Sequence, residues 1–228
     1  MPNESQWCYA WFALPLAAGQ LRAALLNQYR WQSGDIISVS FLDGDPRLYE
    51  RVKKAALQWT APGLANLTFD FRKNTQQTDV RISFAYAGSW SVLGTTCREI
   101  HATTQATMNF GWLNLDSPED EVNRVVLHEF GHALGLIHEH QNPAGGIPWN
   151  REQVIADLSG PPNHWSLEEI EFNMFKPYQQ RETNFTETDA TSIMMYPIPA
   201  KWTRSGYSAG LNSALSTRDR TFIHAQYP

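Results

Sequence analysis

The chain has 228 residues and a formal net charge of −5, with 18 basic and 23 acidic side chains. Binding to phosphate groups needs a basic field, so this charge balance argues against a nucleic-acid partner. The length fits one domain split by a cleft, and aromatic residues, 12% of the total with nine tryptophans, supply apolar surface for a core and for a substrate groove.

The N-terminal part holds the longest apolar run of the chain, from Trp7 to Ala18. Pro15 interrupts this run, and at about twelve residues it is too short for a membrane-spanning helix, which needs roughly twenty. The residues before it include no lysine or arginine, unlike the start of a signal peptide. We therefore expect no membrane span. The chain is either a mature form that has lost its leader or a protein exported by another route, and the alternative is that this run is simply a buried N-terminal segment.

The two cysteines leave three alternatives open. Cys8 and Cys97 either form one disulfide, which would suit an extracellular enzyme, or remain buried thiols. In the third alternative, a thiolate near the functional site masks a metal ion in a latent form, since zinc binds thiolate readily.

The first part of the chain has the order of elements of an α/β fold. Ile36–Phe41 alternates apolar and polar residues as a strand does, and Arg47–Thr60 has the 3.6-residue repeat of an amphipathic helix. Further strands are predicted at Leu67–Phe71, Asp79–Phe84 and Ala106–Trp112, with a short extended stretch at Ser89–Cys97.

A long helix is predicted from Pro118 to Ile137. Ser117 is its expected N-cap, and the three acidic residues that follow Pro118 suit the positive end of the helix dipole. Near its end, Gly135 lies where a residue without a Cβ atom can take a positive φ and stop the helix.

This helix carries the most informative segment, in which His128, Glu129 and His132 are followed by Gly135 and His138. His128 and His132 are four residues apart, so they share one helix face and can bind one ion from adjacent turns. A chain that turns back after Gly135 brings His138 within reach as a third ligand. A catalytic zinc ion takes three protein ligands and lowers the pKa of a bound water to about 7, which leaves Glu129 as the general base.

Beyond His140 the sequence becomes irregular, with frequent proline, glycine and asparagine. Short helices are predicted at Arg151–Asp157 and Ser166–Phe175, and a last helix follows Ser216 as its N-cap. Four other histidines have no ligand spacing among themselves and are expected at the surface or capped, with His140 closest to the cleft: His101, His140, His164 and His224.

The pattern HExxHxxGxxH resembles the metzincin metallopeptidases, whose second signature is a tight turn with a methionine beneath the metal. Ser192–Tyr196 is similar to the S-x-M-x-Y form of that turn, and the chain as a whole most resembles the astacin-like branch. By this resemblance Met194 forms an apolar floor under the three imidazoles, and Tyr196 is either a fifth zinc ligand or an oxyanion stabiliser. The chain departs from the astacins at Met195, where they commonly carry histidine, and in having two cysteines where they have four.

The resemblance implies a metzincin-like α/β (α+β) fold in a single catalytic domain over residues 1–228. Such a fold has a mostly parallel, twisted sheet with an antiparallel edge strand, two long helices and an irregular C-terminal subdomain. The upper subdomain would span about residues 1–137 and the lower about 138–228, with the zinc cleft between them. The stretch that begins at Ser89 is the implied edge strand, along which a protein or peptide substrate binds in extended form.

Together these features predict a zinc-dependent endopeptidase that acts as a monomer outside the cell. Glu129 would take a proton from the water that attacks the peptide bond and pass it to the leaving amine. Two alternatives remain open: a catalytically silent, zinc-stabilised binding or toxin module, and a hydrolase of a cell-wall amide.

Overall fold

The computed structural model describes residues 29–73, 77–142, 146–161, 163–176 and 188–228, together with the backbone of residues 8–11. The rest of the apolar run from Trp7 to Ala18 lies outside the described residues. Within the described part of the chain, no helix combines the length and the apolar character that crossing a bilayer requires.

Six strands form one sheet in the order β1-β5-β6-β4-β2-β3. The strands are β1 (Cys8–Trp11), β2 (Ile36–Phe41), β3 (Thr68–Phe71), β4 (Val80–Ser83), β5 (Ser89–Val92) and β6 (Met108–Phe110). Strands β2, β3, β4 and β6 are parallel, and β5 runs antiparallel to β6. The predicted mostly parallel sheet with an antiparallel edge is therefore confirmed for β2 to β6, and β1 pairs in parallel with the outer side of β5.

Five α-helices are described: α1 (Pro46–Ala56), α2 (Glu119–Ala133), α3 (Arg151–Ser159), α4 (Leu167–Ile170) and α5 (Thr217–Gln226). A 3-10 turn over Leu57–Thr60 continues α1, and a π-helical turn over Glu171–Phe175 continues α4, so both predicted helical stretches exist in these composite forms. Ser216 is the N-cap of α5, as predicted, in a capping box with Asp219.

Both predicted ends of the long helix are wrong. Pro118 rather than Ser117 is the N-cap of α2, and the Ser117 hydroxyl instead accepts a hydrogen bond from the Asn114 backbone N–H at 3.0 Å. The helix stops at Ala133, four residues before the expected end at Ile137, because the backbone reverses at Gly135 with a φ of +91°.

The buried side chains form two clusters. The first fills the space between the sheet and helices α1, α2 and α5, and includes Trp59, Phe130 and Tyr227. The second lies in the C-terminal part around α3 and α4, and includes Trp165 and Trp202. The segment after residue 192 belongs to both, since Ile193 and Met194 pack into the first cluster and the next two residues into the second. The segment of residues 193–196 is thus the junction of the two cores.

Of the alternatives for the cysteines, the structure supports a buried thiol for Cys97, which is free. Burial raises the pKa of this thiol to about 12, so Cys97 is not a thiolate at neutral pH. The side chain of Cys8 lies outside the described part of the protein.

Candidate metal centre

The three histidines of the sequence motif meet at the junction of the two cores. His128 and His132 lie on successive turns of α2 with ring centroids 4.8 Å apart and ring planes nearly perpendicular, at 88°. His138 approaches from the chain beyond the helix, with its ring centroid 5.2 Å from that of His128 and 4.6 Å from that of His132. All three side chains are buried.

The turn at Gly135 brings His138 back toward the helix. The Leu136 N–H bonds to the Gly131 carbonyl at 2.9 Å, which closes the reversal that a left-handed residue at the helix end permits. The Leu136 carbonyl then accepts a hydrogen bond from Nδ1 of His132 at 2.8 Å. One glycine conformation therefore both returns the chain and supplies an oxygen that orients a predicted ligand.

Distant side chains hold the C-terminal end of α2 in place. A helix leaves its last carbonyls without helical partners. Here Nε1 of Trp31 donates to the Ala133 carbonyl at 2.8 Å, and the Tyr227 hydroxyl donates to the Leu134 carbonyl at 2.6 Å. The helix end that carries His132 is thus anchored from both ends of the described chain.

The hydrogen bonds of the rings fix which nitrogen is free. A carbonyl oxygen can only accept, so His132 carries its proton on Nδ1, and so does His128, whose Nδ1 donates to the Ile193 carbonyl at 2.8 Å. In the neutral ring Nε2 is then a bare lone pair. Nε2 of His128 is buried and has no hydrogen-bond partner among the described residues. A buried acceptor of this kind needs a ligand.

The three imidazoles fit a zinc ion. Their ligand nitrogens lie within 4.8 Å of one another, and no other group of this kind occurs in the part of the chain that the structure describes. Zinc–nitrogen bonds of about 2.0–2.1 Å in tetrahedral geometry separate the nitrogens by about 3.3 Å. Nε2 of His132 and Nε2 of His138 are 3.1 Å apart, close to that spacing.

Burial keeps these rings neutral. Desolvation lowers the pKa of His132 to about 4. It is also the main reason why the pKa values of His128 and His138 lie well below the ordinary value, and repulsion from neighbouring rings lowers these two further. A hydrogen bond with the Gln141 side chain partly opposes this effect on the pKa of His138. Few protons therefore compete with a metal ion for these nitrogens at neutral pH.

Tyr196 lies beside His128 and His138, and Glu129 lies on the helix that carries His128 and His132. Glu129 follows His128 on α2 and is fully buried. The Tyr196 ring is also buried, with its centroid 4.2 Å from that of His138 and 6.1 Å from that of His128. The structure thus brings all the residues that the sequence assigned to the site into one region.

Met194 packs beneath the helix that carries the first two histidines. Its buried side chain lies against Gly131, where an added Cβ atom would overlap the Met194 sulfur and come within 3.3 Å of Trp59. Only a residue without a side chain lets α2 approach the methionine this closely.

We therefore expect Gly131→Ala to destabilise the protein. The alanine gains about 1 kcal/mol of helix propensity, but overpacking a filled core costs about 1–3 kcal/mol, because the Met194 side chain must shift within a buried cluster. Urea unfolding of the metal-free protein would measure the loss. Combining the change with Met194→Val should recover part of it, and strictly additive costs would contradict the clash.

Of the four other histidines, His140 was expected at the surface or capped, and closest to the cleft. His140 is buried, its Nε2 bonds to the Asn173 carbonyl at 2.7 Å, and its ring stacks on Tyr196 with centroids 4.6 Å apart. Burial lowers its pKa to about 4. Its position two residues after His138 was the available signal, whereas His101, His164 and His224 are exposed as expected.

Comparison with known proteins agrees with this geometry. No protein-family model and no curated protein sequence matches the chain. Among solved structures, one of myroilysin is similar over 89% of this chain and 97% of its own, with 40% sequence identity and a TM-score of 0.85. A second structure of myroilysin is 36% identical over 99% of this chain and 92% of its own, with a TM-score of 0.71.

A more distant likeness concerns the fold alone. High choriolytic enzyme 1, a hatching enzyme zinc-protease from the medaka fish Oryzias latipes, is 18% identical over 88% of this chain and 95% of its own. Its TM-score is 0.56. The arrangement of sheet and helices is therefore common to all three structures.

Proposed function

The chain belongs with myroilysin to the astacin-like zinc metalloproteases, and we propose that it cuts peptide bonds with Glu129 as its general base. The protein is a zinc-dependent endopeptidase. In the proposal His128, His132 and His138 are the zinc ligands. The observation that carries this assignment is the convergence of three buried, neutral imidazoles whose ligand nitrogens lie within 4.8 Å of one another.

The reaction needs a metal, a base and a water nucleophile. A zinc ion held by His128, His132 and His138 would supply a Lewis acid for the scissile carbonyl and would lower the pKa of a coordinated water to about 7. Glu129, next to His128 and shielded from solvent, takes the proton of the attacking water and later delivers it to the leaving amine nitrogen. Since water is the nucleophile, no covalent enzyme intermediate forms.

Tyr196 is the proposed second catalytic residue, as an oxyanion stabiliser or a fifth zinc ligand. Its ring lies against His138 on one side and stacks on His140, so the phenol is held at the metal centre by packing. The side chain of Met194 contributes the apolar floor of the site.

We expect Tyr196→Phe to lower kcat by about 10²–10³-fold with little change in KM, because an oxyanion donor acts mainly in the transition state. Steady-state cleavage of a fluorogenic peptide would separate the two constants. The matched control is Tyr86→Phe, at an exposed tyrosine on the loop before β5, which should leave both constants unchanged. A change confined to KM would contradict the transition-state role.

The substrate is proposed to bind as an extended strand along β5. In support, the outer side of β5 already carries a strand, β1, in the described structure, so this edge accepts an extended segment. A bound substrate would take that place. We further propose that residues 1–228 form a single catalytic domain, divided near His138, which acts as a monomer outside the cell.

Digestion of a mixed peptide library tests the proposed function. The protein should create new peptide termini, detected by mass spectrometry, which a zinc chelator abolishes and added zinc restores. Peptides that bind but stay intact would favour a silent binding module. Intact peptides together with cleaved cell-wall cross-links would favour the amide hydrolase instead.

A further inference from the structure

Two predicted ligands bond to a carbonyl among the described residues, and His128 takes its carbonyl from the more distant part of the chain. His132 bonds to Leu136, four residues away, whereas His128 bonds to Ile193, 65 residues away. The position of Ile193 must therefore be set by other contacts. Those contacts lead to helix α5.

We propose that Asp219 and Ser192 are a pair of positioning residues that fix and polarise His128 through the Ile193–Met194 peptide group. This inference rests on the proposed role of His128 as a zinc ligand. Neither Asp219 nor Ser192 would touch the metal or the substrate.

A continuous chain of hydrogen bonds joins these groups. Nδ1 of His128 bonds to the Ile193 carbonyl at 2.8 Å, and the N–H of the same peptide group, on Met194, bonds to Oγ of Ser192 at 3.1 Å. Oγ of Ser192 bonds in turn to Oδ1 of Asp219 at 2.7 Å. His128, Ser192 and Asp219 are all buried, so little solvent screens the chain.

The direction of each hydrogen bond follows from the chemistry of its partners. The Ile193 carbonyl only accepts, so His128 donates, and the Met194 N–H only donates, so the Ser192 oxygen accepts. The Ser192 hydroxyl then has its own proton left for the Asp219 carboxylate. The carboxylate of Asp219 thus lies at one end of this chain of hydrogen bonds and the imidazole of His128 at the other. This arrangement makes the Nε2 lone pair of His128 a better donor to a metal.

Asp219 is held firmly enough to act in this way. Its second oxygen, Oδ2, accepts from the Ile193 N–H at 2.8 Å and from the Ser216 N–H at 2.9 Å. With the Ser192 hydroxyl, three donors point at one carboxylate, and they partly offset the desolvation that raises the pKa of Asp219. Residue 193 is therefore fixed at its N–H by Asp219 directly, and at its carbonyl side through Ser192.

Helix α5 is itself tied to the helix that carries His128. Ile223 and Tyr227, at the end of α5, pack in the first core with α2, and the Tyr227 hydroxyl bonds to Leu134 just beyond α2. The start of α5 holds the segment at Ile193, and its end holds the end of α2. Two sides of the metal centre thus share one helix as their support.

A purely structural role for Asp219 is the competing explanation, since Asp219 also closes the capping box of α5 with Ser216. The two serines separate these roles. Ser192→Ala interrupts the chain of hydrogen bonds to His128 and leaves the capping box intact. Ser216→Ala removes the cap and leaves the chain from Asp219 to His128 intact, so it is the matched control.

The experiment compares zinc affinity in the full-length variants. Competition with a chromophoric chelator gives the zinc dissociation constant, the visible spectrum of the cobalt(II)-substituted protein reports ligand geometry, and thermal unfolding of the metal-free form reports stability. We expect Ser192→Ala to bind zinc about 10–100-fold more weakly and to shift the cobalt bands, as loss of an outer-shell partner typically does. Ser216→Ala should lower the midpoint of unfolding and leave zinc affinity and cobalt bands unchanged.

Equal zinc affinity in the wild type and in Ser192→Ala would overturn the inference, as would an equal loss of affinity in both serine variants. If Ser192→Ala does not fold, Asp219→Asn carries the test by comparison with Ser216→Ala, because it removes the charge while both variants disturb the capping box. A wild-type protein that does not take up zinc would instead refute the proposed function.

Discussion

Glu129→Gln is expected to lower kcat by about 10²–10⁴-fold while the zinc ion stays bound. The amide keeps the shape of the side chain in its fully buried position but cannot take a proton from water. The three proposed zinc ligands are untouched, so metal binding does not depend on residue 129. The loss corresponds to about 3–5 kcal/mol of transition-state stabilisation.

Zinc content by atomic absorption, measured on the same sample as peptide cleavage, checks this expectation. Asp120→Asn is the matched control, since it makes the equivalent exchange on an exposed turn of the same helix and should leave activity unchanged. Native cleavage rates in Glu129→Gln would show that another group is the base. Loss of zinc together with activity would show that Glu129 supports the metal instead.

His132→Ala is expected to lose both the metal and the activity. A catalytic zinc ion needs three protein ligands, and two imidazoles on their own hold it far more weakly. His132 is also fully buried, so its removal leaves a cavity and frees the Leu136 carbonyl that it now bonds. We expect no measurable peptide cleavage and a lower thermal midpoint than that of the wild-type protein.

The response of thermal stability to zinc gives the clearest measurement for His132→Ala. A ligand present at 1,000 times its dissociation constant stabilises the folded state by about 4 kcal/mol, so zinc should raise the midpoint of the wild type and not that of the variant. His224→Ala, at an exposed histidine of α5, is the control and should respond as the wild type does. A zinc response retained in His132→Ala would remove this residue from the ligand set.

Local patterns predicted much of this molecule. The strand Ile36–Phe41 was predicted with the bounds that it has in the structure, because alternation of apolar and polar residues is a property of a short segment. The i, i+4 spacing of His128 and His132 sets their common helix face in the same way. Gly135 and Ser216 act as predicted, since positive φ and N-capping involve only neighbouring residues.

The errors concern competition between local signals. Ser117 has the chemistry of an N-cap, but its hydroxyl is used by the turn at Asn114, so Pro118 takes the cap position. His140 has no ligand spacing and was expected at the surface or capped, yet packing against Tyr196 buries it. A sequence pattern shows which residues have the chemistry for a role. It does not show which of them the fold places beside the partner that the role requires.

The sequence by itself determined the chemistry: three imidazoles, a carboxylate and a turn methionine at spacings that suit a zinc hydrolase, and the strands and helices that carry them. Only the tertiary structure decided how the ligands are oriented, because the partners of His128 and of the end of α2 lie 65 and 93 residues away along the chain. Helical spacing and φ preferences act over a few residues. Hydrogen bonds between distant segments exist only once both cores have packed, so Asp219, Ser192 and Tyr227 show their part in the site only in the folded protein.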